Sequence, residues 1–151
     1  MRWVFPAFLG GPAAVGLLAL RVVVGLAFIV HGWEKIQGPF DWMERSGIPG
    51  QHEALQAAAA VAEFGGGIAL LLGLLTPLAS LGIIGVMIGA FTLVHIPFGH
   101  TFVAPPGKPS FETAAVYLAS GLLFLLAGPG KLSVDALLFG DRPTAPAPRT
   151  V

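Results

Sequence analysis

Cysteine is absent from the 151-residue chain, and charged side chains are scarce. Without a thiol, the chain cannot form a disulfide, hold an iron–sulfur cluster through cysteine or carry out thiol redox chemistry. Asp, Glu, Lys and Arg make up 11% of the residues, against roughly 25% in a typical soluble domain. A chain so poor in charge cannot easily cover a water-exposed surface. We therefore do not expect a water-soluble monomer.

An excess of positive charge is also missing. Eight Lys and Arg residues balance eight Asp and Glu residues, and the isoelectric point is about 6.9. Proteins that bind nucleic acids need a basic surface that neutralises the phosphates. The charge balance therefore argues against nucleic acid as a partner.

Apolar residues are abundant, at 55% of the chain with a mean hydropathy of +0.82. A helix that crosses a membrane needs roughly 20 mostly apolar residues. Four stretches meet this requirement, at about residues 14–36, 54–75, 77–96 and 111–127. They predict an all-α fold, a polytopic membrane bundle of four antiparallel transmembrane helices. We expect residues 1–138 to form this single domain and residues 139–151 to be a disordered tail. A water-soluble bundle is disfavoured because residues 76–94 offer almost no polar face.

The connections predict the topology. Only Leu75-Thr76-Pro77 joins the second and third helices, so these two form a tight hairpin, and the two longer loops lie on the opposite side. The side that holds the termini has one more Lys or Arg than the long-loop side. This difference favours cytoplasmic termini in a cell membrane. The basic residues counted are Arg2, Lys131, Arg142 and Arg149 against Lys35, Arg45 and Lys108.

Small residues in the second helix recur at spacings of three and four. Membrane helices associate through such residues because their backbones can approach closely. We expect a neighbouring helix to lie against this stripe, which consists of Ala58, Ala62, Gly65, Ala69 and Gly73.

Two charged residues, Arg21 and Glu63, fall inside the first and second spans. An ionisable group at the centre of a bilayer costs roughly 2.5–3.5 kcal/mol on insertion scales, so it needs a partner. We expect these two side chains to pair, directly or through one polar group. Such a pair would serve a ligand or a proton, or would only fix the register of the helices.

A second polar group is expected at the end of the bundle where the long loops lie. His31 and Lys35 end the first helix, His95 ends the third and Glu112 begins the fourth, with His100 in the following loop. A divalent metal would need closer ligand spacing, and we assign none. The remaining interpretations are hydrogen-bonded packing and a small polar-headed ligand such as a quinone. Tyr117 is left out because it lies about 140° around the helix from Glu112. The candidate pocket is Arg21, His31, Lys35, Glu63, His95 and Glu112.

Several motifs resemble those of the DoxX family of small membrane proteins. They are Leu20-Arg21 with Gly25, His31-Gly32 and Lys35; Glu63-Phe64-Gly65-Gly66 with Leu72-Gly73-Leu74-Leu75-Thr76-Pro77; His95 and Glu112; and Gly128-Pro129-Gly130-Lys131-Leu132-Ser133-Val134-Asp135. The resemblance covers roughly residues 14–138.

The resemblance implies a four-helix integral membrane protein, mostly bacterial, with MauE-like proteins and eukaryotic cargo-receptor proteins as wider relatives. The founding members are associated with a thiosulfate:quinone oxidoreductase, which implies a link to quinones. A thiol role, as in some relatives, is excluded here by the lack of cysteine. Membership of a family supports a fold more than a chemistry.

The leading hypothesis is a membrane subunit or accessory of a redox system in the bacterial plasma membrane, itself more a binding subunit than an enzyme. A quinone-like ligand would lie in the candidate pocket. Arg21 would neutralise Glu63, the histidines His31 and His95 would donate or relay protons, and Glu112 would orient one of them. Its partners would be lipid, a soluble oxidoreductase and further copies of the chain.

Two alternatives to this hypothesis remain. The protein would be a catalytically silent scaffold for a soluble partner, or a transporter of a small solute or of protons.

Overall fold

A computed structural model describes residues 8–48 and 52–140. The described residues form six α-helices and no strand, so the predicted all-α fold is confirmed. Of the predicted tail, 139–151, residues 141–151 lie outside the described residues. The division into one domain and a tail stays a prediction. The helices are α1 (Gly11–Gln37), α2 (Trp42–Arg45), α3 (Glu53–Leu72), α4 (Thr76–Ala90), α5 (Glu112–Ala127) and α6 (Val134–Phe139), and a π-helical segment (Phe91–His95) extends α4.

The four predicted spans correspond to α1, α3, α4 with its π-helical segment, and α5. The first three are long and apolar enough to cross a membrane. Helix α5 is also apolar but has 16 residues, or about 24 Å at 1.5 Å per residue. Large apolar side chains point outward along the bundle, as at Val23, which is 66% exposed. A surface of this kind is compatible with lipid and not with water, so the protein is a polytopic membrane bundle.

Helices α1 and α3 pack closely because the glycines at their interface have no side chains to hold the two backbones apart. A Cβ atom at Gly32 would lie 2.7 Å from the Cα atom of Phe64, and one at Gly67 would lie 2.7 Å from the backbone nitrogen of Ile29. Gly25 packs in the same way against Leu71. Close backbone approach is the main source of helix association in lipid. These contacts define an antiparallel register that decides which charged side chains can meet.

The predicted small-residue stripe on α3 meets a neighbouring helix only in part. A Cβ atom at Gly82 on α4 would lie 3.3 Å from the Cβ atom of Ala62, so the stripe packs as expected at that position, but not at Gly65. Gly65 is exposed, and a Cβ atom there would have no neighbour within 4 Å, whereas Gly67 is buried against α1. The two positions differ by about 200° around the helix. Spacing alone could not show which face of an evenly apolar helix meets its neighbour.

The predicted hairpin between α3 and α4 is present and is held by the C-terminal segment. Gly73 and Leu75 both have positive φ angles, of 65° and 48°. The carboxylate of Asp135 accepts hydrogen bonds from the backbone nitrogens of Leu75, at 2.7 Å, and Thr76, at 2.8 Å. The backbone nitrogen of Asp135 donates to the Gly73 carbonyl at 2.8 Å. These bonds fix a turn whose left-handed leucine would otherwise be unfavourable.

Candidate ligand-binding cavity

A cavity of about 580 Å³ lies in the half of the bundle that is remote from the hairpin. Helices α1, α3, α4 and α5 contribute to its wall, and α2 contributes Trp42 and Met43. Much of the wall on α3 and α4 consists of small residues, which leave space between the two helices. These residues are Ala58, Ala59, Ala62, Gly82, Gly85 and Gly89.

An ion pair forms the polar part of the wall. The Nζ atom of Lys35 lies 2.5 Å from Oε1 of Glu63. The Glu63 side chain is 3% exposed and that of Lys35 is 24% exposed. The Nζ atom also lies 4.2 Å from the centre of the Trp42 ring, within the range of a cation–π contact. The carboxylate is thus neutralised inside the bundle by a lysine that keeps contact with the surface.

The second carboxylate oxygen, Oε2 of Glu63, is buried and has no hydrogen-bond partner among the described residues. A buried acceptor without a donor is costly, by about 1–3 kcal/mol or more when it is charged. Glu63 itself lines the cavity. The arrangement therefore offers a strong acceptor to any donor group that enters.

Two histidines predicted for the pocket also line the cavity. His31 precedes Lys35 by one helical turn on α1, and His95 ends the π-helical segment. The Nδ1 atoms of His95 and His100 lie 3.0 Å apart, so one ring donates to the other. A π-helical segment changes the direction of the residues that follow it and is frequent at functional sites. This local geometry brings His95 to the cavity wall.

The predicted pairing of Arg21 with Glu63 is wrong. Arg21 is fully buried and donates instead to the carbonyl of Leu132, and it interacts electrostatically with Asp135. In the α1–α3 register, position 63 faces about position 33, so Arg21 lies about twelve residues, or about 18 Å, further along α1. Arg21 is not part of the cavity wall, and Lys35 takes the place expected for it.

Glu112 was expected to line the pocket and Tyr117 was not, but the structure shows the opposite. Glu112 is exposed in the first turn of α5, where the helix dipole favours a carboxylate, and it does not line the cavity. Tyr117 does line it and makes an edge-to-face contact with Phe28, with ring centres 5.0 Å apart. The predicted angle of 140° between the two residues correctly separates them. The error was to place Glu112, and not Tyr117, on the inner face.

Helix α2 is fixed over the cavity by Gln56, which is fully buried. Its Oε1 atom accepts from the backbone nitrogen of Met43 at 2.8 Å, and its Nε2 atom donates to the Glu44 carboxylate at 2.8 Å. The indole nitrogen of Trp42 donates to the backbone carbonyl of Gln56 at 3.0 Å. No local pattern predicts this contact, since Gln56 is a lone polar residue in an alanine-rich stretch.

The cavity opens at the surface between α3 and α4. Leu55 on α3 and Leu81 on α4 belong to its wall and are 47% and 54% exposed. Both side chains lie on apolar helices that span the membrane. The opening therefore faces lipid, and an apolar molecule could enter from the bilayer.

Metal binding has no support in the described part of the chain. No group of three or more His, Asp or Glu residues there has a geometry that could hold an ion. The donor set of the cavity consists instead of an ammonium, a carboxylate and separate imidazoles, which suits an organic ligand better than a cation.

The fold and the cavity define a class, the small polytopic membrane proteins with an ionisable pair inside a helical bundle. The chain belongs to the DoxX family, whose pattern it matches over residues 16–96. This finding confirms the family suggested by the sequence motifs. No solved structure matches the chain.

Three relatives cover most of the chain. The Escherichia coli "Inner membrane protein YqjF" is 34% identical over 128 residues, which cover 82% of this chain and 92% of the relative. The Mycobacterium tuberculosis "Uncharacterized membrane protein Rv3486" is 32% identical, covering 89% and 88%. The Bacillus subtilis "Putative oxidoreductase CatD" is 27% identical, covering 83% and 88%. The names of the first two agree with a location in a membrane.

Proposed function

We propose that this DoxX-family protein is a membrane subunit or accessory of a redox system, and that its cavity binds a quinone-like ligand. The observation that carries the proposal is the Lys35–Glu63 pair, whose free oxygen Oε2 is buried in the wall of a cavity that opens toward lipid. The name of the Bacillus subtilis relative, "Putative oxidoreductase CatD", adds a link to redox chemistry.

The size and chemistry of the cavity suit such a ligand. Its volume of about 580 Å³ lies within the usual range of ligand sites, roughly 300–1,000 Å³. Oε2 of Glu63 would accept a hydrogen bond from the hydroxyl group of a quinol. The ammonium of Lys35 or an imidazole would donate to the carbonyl oxygen of a quinone. The apolar tail would leave between α3 and α4, beside Gly85.

When bound, a quinone would supply electron and proton transfer in the membrane. The protein's own residues would bind and orient it. Glu63 and Lys35 would hold the polar head, and the apolar wall would exclude water from it. His31 and His95 lie in the same wall as the pair and are proposed to donate further hydrogen bonds. Arg21 and Glu112 lie outside this wall, so we propose no contact between them and the ligand.

Binding can be tested on the purified full chain in lipid nanodiscs, with decylubiquinone as the probe and tryptophan fluorescence as the signal. Gly85→Leu should weaken binding by at least about tenfold, because the new side chain fills the cavity. A Cβ atom at Gly85 meets nothing within 4 Å, so the fold should tolerate the change. Gly16→Leu is the matched control, since its surroundings are equally open and it lies outside the cavity wall.

Glu63→Gln should also weaken binding, because the carboxylate becomes a weaker acceptor. Equal affinity in wild type, Gly85→Leu and Glu63→Gln would contradict the proposal, as would absence of binding to wild type. A soluble protein that co-purifies equally with all three, without any quinone binding, would favour the scaffold alternative. Flux of solute or protons in proteoliposomes without quinone binding would favour the transporter alternative.

The proposed location is the bacterial plasma membrane, with both termini in the cytoplasm. The distribution of Lys and Arg supports this orientation. Green fluorescent protein fused after Val151 should fluoresce, and alkaline phosphatase fused there should be inactive. The reverse result would place the termini and the hairpin on the outer side.

A further inference from the structure

A second cavity lies behind the ion pair. It has a volume of about 640 Å³ and lies between the end of α1 and α2. Unlike the first cavity, it is lined mainly by polar side chains: His31, Glu34, Lys35, Gln37, Arg45 and Ser46. We call it the polar recess. Glu34, Gln37, Arg45 and Ser46 are exposed, so the recess is open to the medium at the long-loop end.

His31 and Lys35 belong to the walls of both cavities, as does Trp42. His31 and Lys35 lie four residues apart on α1, so their side chains are neighbours on one face of the helix and form a ridge. On one side of this ridge is the apolar cavity that holds Glu63, and on the other is the polar recess. One side chain, Lys35, thus separates a 3% exposed carboxylate from a water-accessible surface.

We propose that the polar recess supplies protons to Glu63 through Lys35 and His31, so that a site entered from lipid exchanges protons with water. The purpose of this proton route rests on the proposed function, because the protons would serve the bound quinone. The route itself does not, since the recess and the ion pair are features of the ligand-free chain. It assigns the His31–Lys35 ridge to proton transfer and the α3–α4 opening to the apolar ligand.

The transfer balances without a further reactant. The Lys35 ammonium gives a proton to Oε1 of Glu63, which leaves a neutral amine and a neutral carboxyl group. The amine then takes a proton from the protonated imidazole of His31 in the recess, and the neutral His31 takes a proton from hydronium in the medium. The net change is one proton moved from water to Glu63, and the pair gains one positive charge.

Other titratable side chains lie near this pair on α1, α2, the π-helical segment and α5. Glu34 on α1 and Glu44 on α2 are acidic, Arg45 on α2 is basic, and His95 and Tyr117 complete the wall on the far side. His95 and Tyr117 line the first cavity and not the recess, so they are not part of the proposed route.

Water access can be tested by single-cysteine labelling, for which the chain is suited because it has no cysteine of its own. The probe is a membrane-impermeant cationic thiosulfonate added to the full chain in liposomes. His31→Cys and Glu34→Cys should react at least about tenfold faster than Val23→Cys, because only a hydrated thiol ionises readily. Val23 is a suitable control, since it is exposed on the same helix but toward lipid. Slow labelling of both recess positions from either side of the membrane would overturn the proposal.

Proton exchange is measured separately by infrared spectroscopy of the ligand-free protein in D₂O, with the pH lowered until the band of a protonated carboxyl group appears. The carboxyl band of Glu63 is identified by its loss in Glu63→Gln. We expect His31→Phe to slow the exchange of this band several-fold and His95→Phe to leave it unchanged. Equal exchange rates in wild type and His31→Phe would remove His31 from the route. Neither experiment contains a quinone, so a failure here differs from a failure to bind decylubiquinone.

Discussion

Lys35 and Glu63 meet across the α1–α3 interface, with Nζ 2.5 Å from Oε1. They are held by two antiparallel helices whose backbones approach closely at Gly32 and Gly67. The contact therefore depends on the packing of small residues as much as on charge. It leaves one oxygen of the carboxylate free to face a ligand.

The two members of this pair should contribute unequally to stability. Lys35→Met leaves a buried carboxylate without its partner and should lower the free energy of unfolding by up to about 3 kcal/mol. Glu63→Gln should cost less, because Lys35 is partly exposed and can turn toward the polar recess. The double variant should resemble Glu63→Gln. Thermal unfolding in detergent, followed by tryptophan fluorescence, gives the order of the Tm values. Losses that simply add in the double variant would show that the two side chains are not coupled.

Two glycines of α3 that lie two residues apart should respond in opposite ways to the same substitution. Gly67→Ala places a Cβ atom 2.7 Å from the nitrogen of Ile29, so α1 and α3 must separate and the Tm should fall. Gly65→Ala meets nothing within 4 Å and should be neutral or stabilising by up to about 1 kcal/mol, because alanine is the better helix former. Equal effects of the two substitutions would contradict the α1–α3 register described above.

The hairpin between α3 and α4 should depend on Asp135. Asp135→Ala removes two hydrogen bonds to backbone nitrogens and the negative charge beside Arg21. The expected loss is about 2 kcal/mol or more, and Asp135→Asn should lose less because one acceptor remains. Asp41→Ala is the control, since Asp41 forms an exposed pair with Arg45, worth about 1 kcal/mol or less. A Tm for Asp135→Ala that matches the control would refute the role of Asp135 in the turn.

Helix α2 should loosen when Gln56 loses its polar atoms. Gln56→Leu preserves much of the side-chain volume but removes the hydrogen bonds to Met43 and Glu44. Amide hydrogen exchange of residues 42–46 should then become faster, while α1 and α3 remain protected. Gln37→Leu provides a control, because the Gln37 side chain donates to the Trp33 backbone carbonyl within α1. Unchanged exchange in Gln56→Leu would mean that α2 is held by other contacts.

The fold could be predicted because length and hydropathy nearly determine it. Four apolar stretches, a three-residue hairpin and proline and glycine at helix ends left few arrangements in a membrane. The axial offset of α1 against α3 could not be predicted in the same way. Residues 11–23 extend past the last turn of α3, where α1 packs against Gly130. An assumption that both midpoints lie at the same depth therefore paired the wrong cation with Glu63.

The candidate site was predictable in part. His31, Lys35, Glu63 and His95 share one cavity, because polar residues on apolar helices turn away from lipid. The roles of these residues in binding stay a prediction. Glu112 was expected inside because it is charged, but a helix terminus can hold a carboxylate at the surface. Gln56 and the polar recess depend on contacts between α1, α2 and α3 that no local pattern in the sequence records.

The central claim is that the cavity containing Glu63 receives an apolar, quinone-like molecule from the bilayer. Photolabelling in nanodiscs with an azidoquinone, followed by mass spectrometry of the labelled peptides, tests it most directly. The label should appear on the cavity-facing segments of α3 and α4, around Ala62 and Gly85, and should be lost with excess decylubiquinone and in Gly85→Leu. Label confined to outward positions such as Val23, or label that excess quinone does not displace, would contradict the claim.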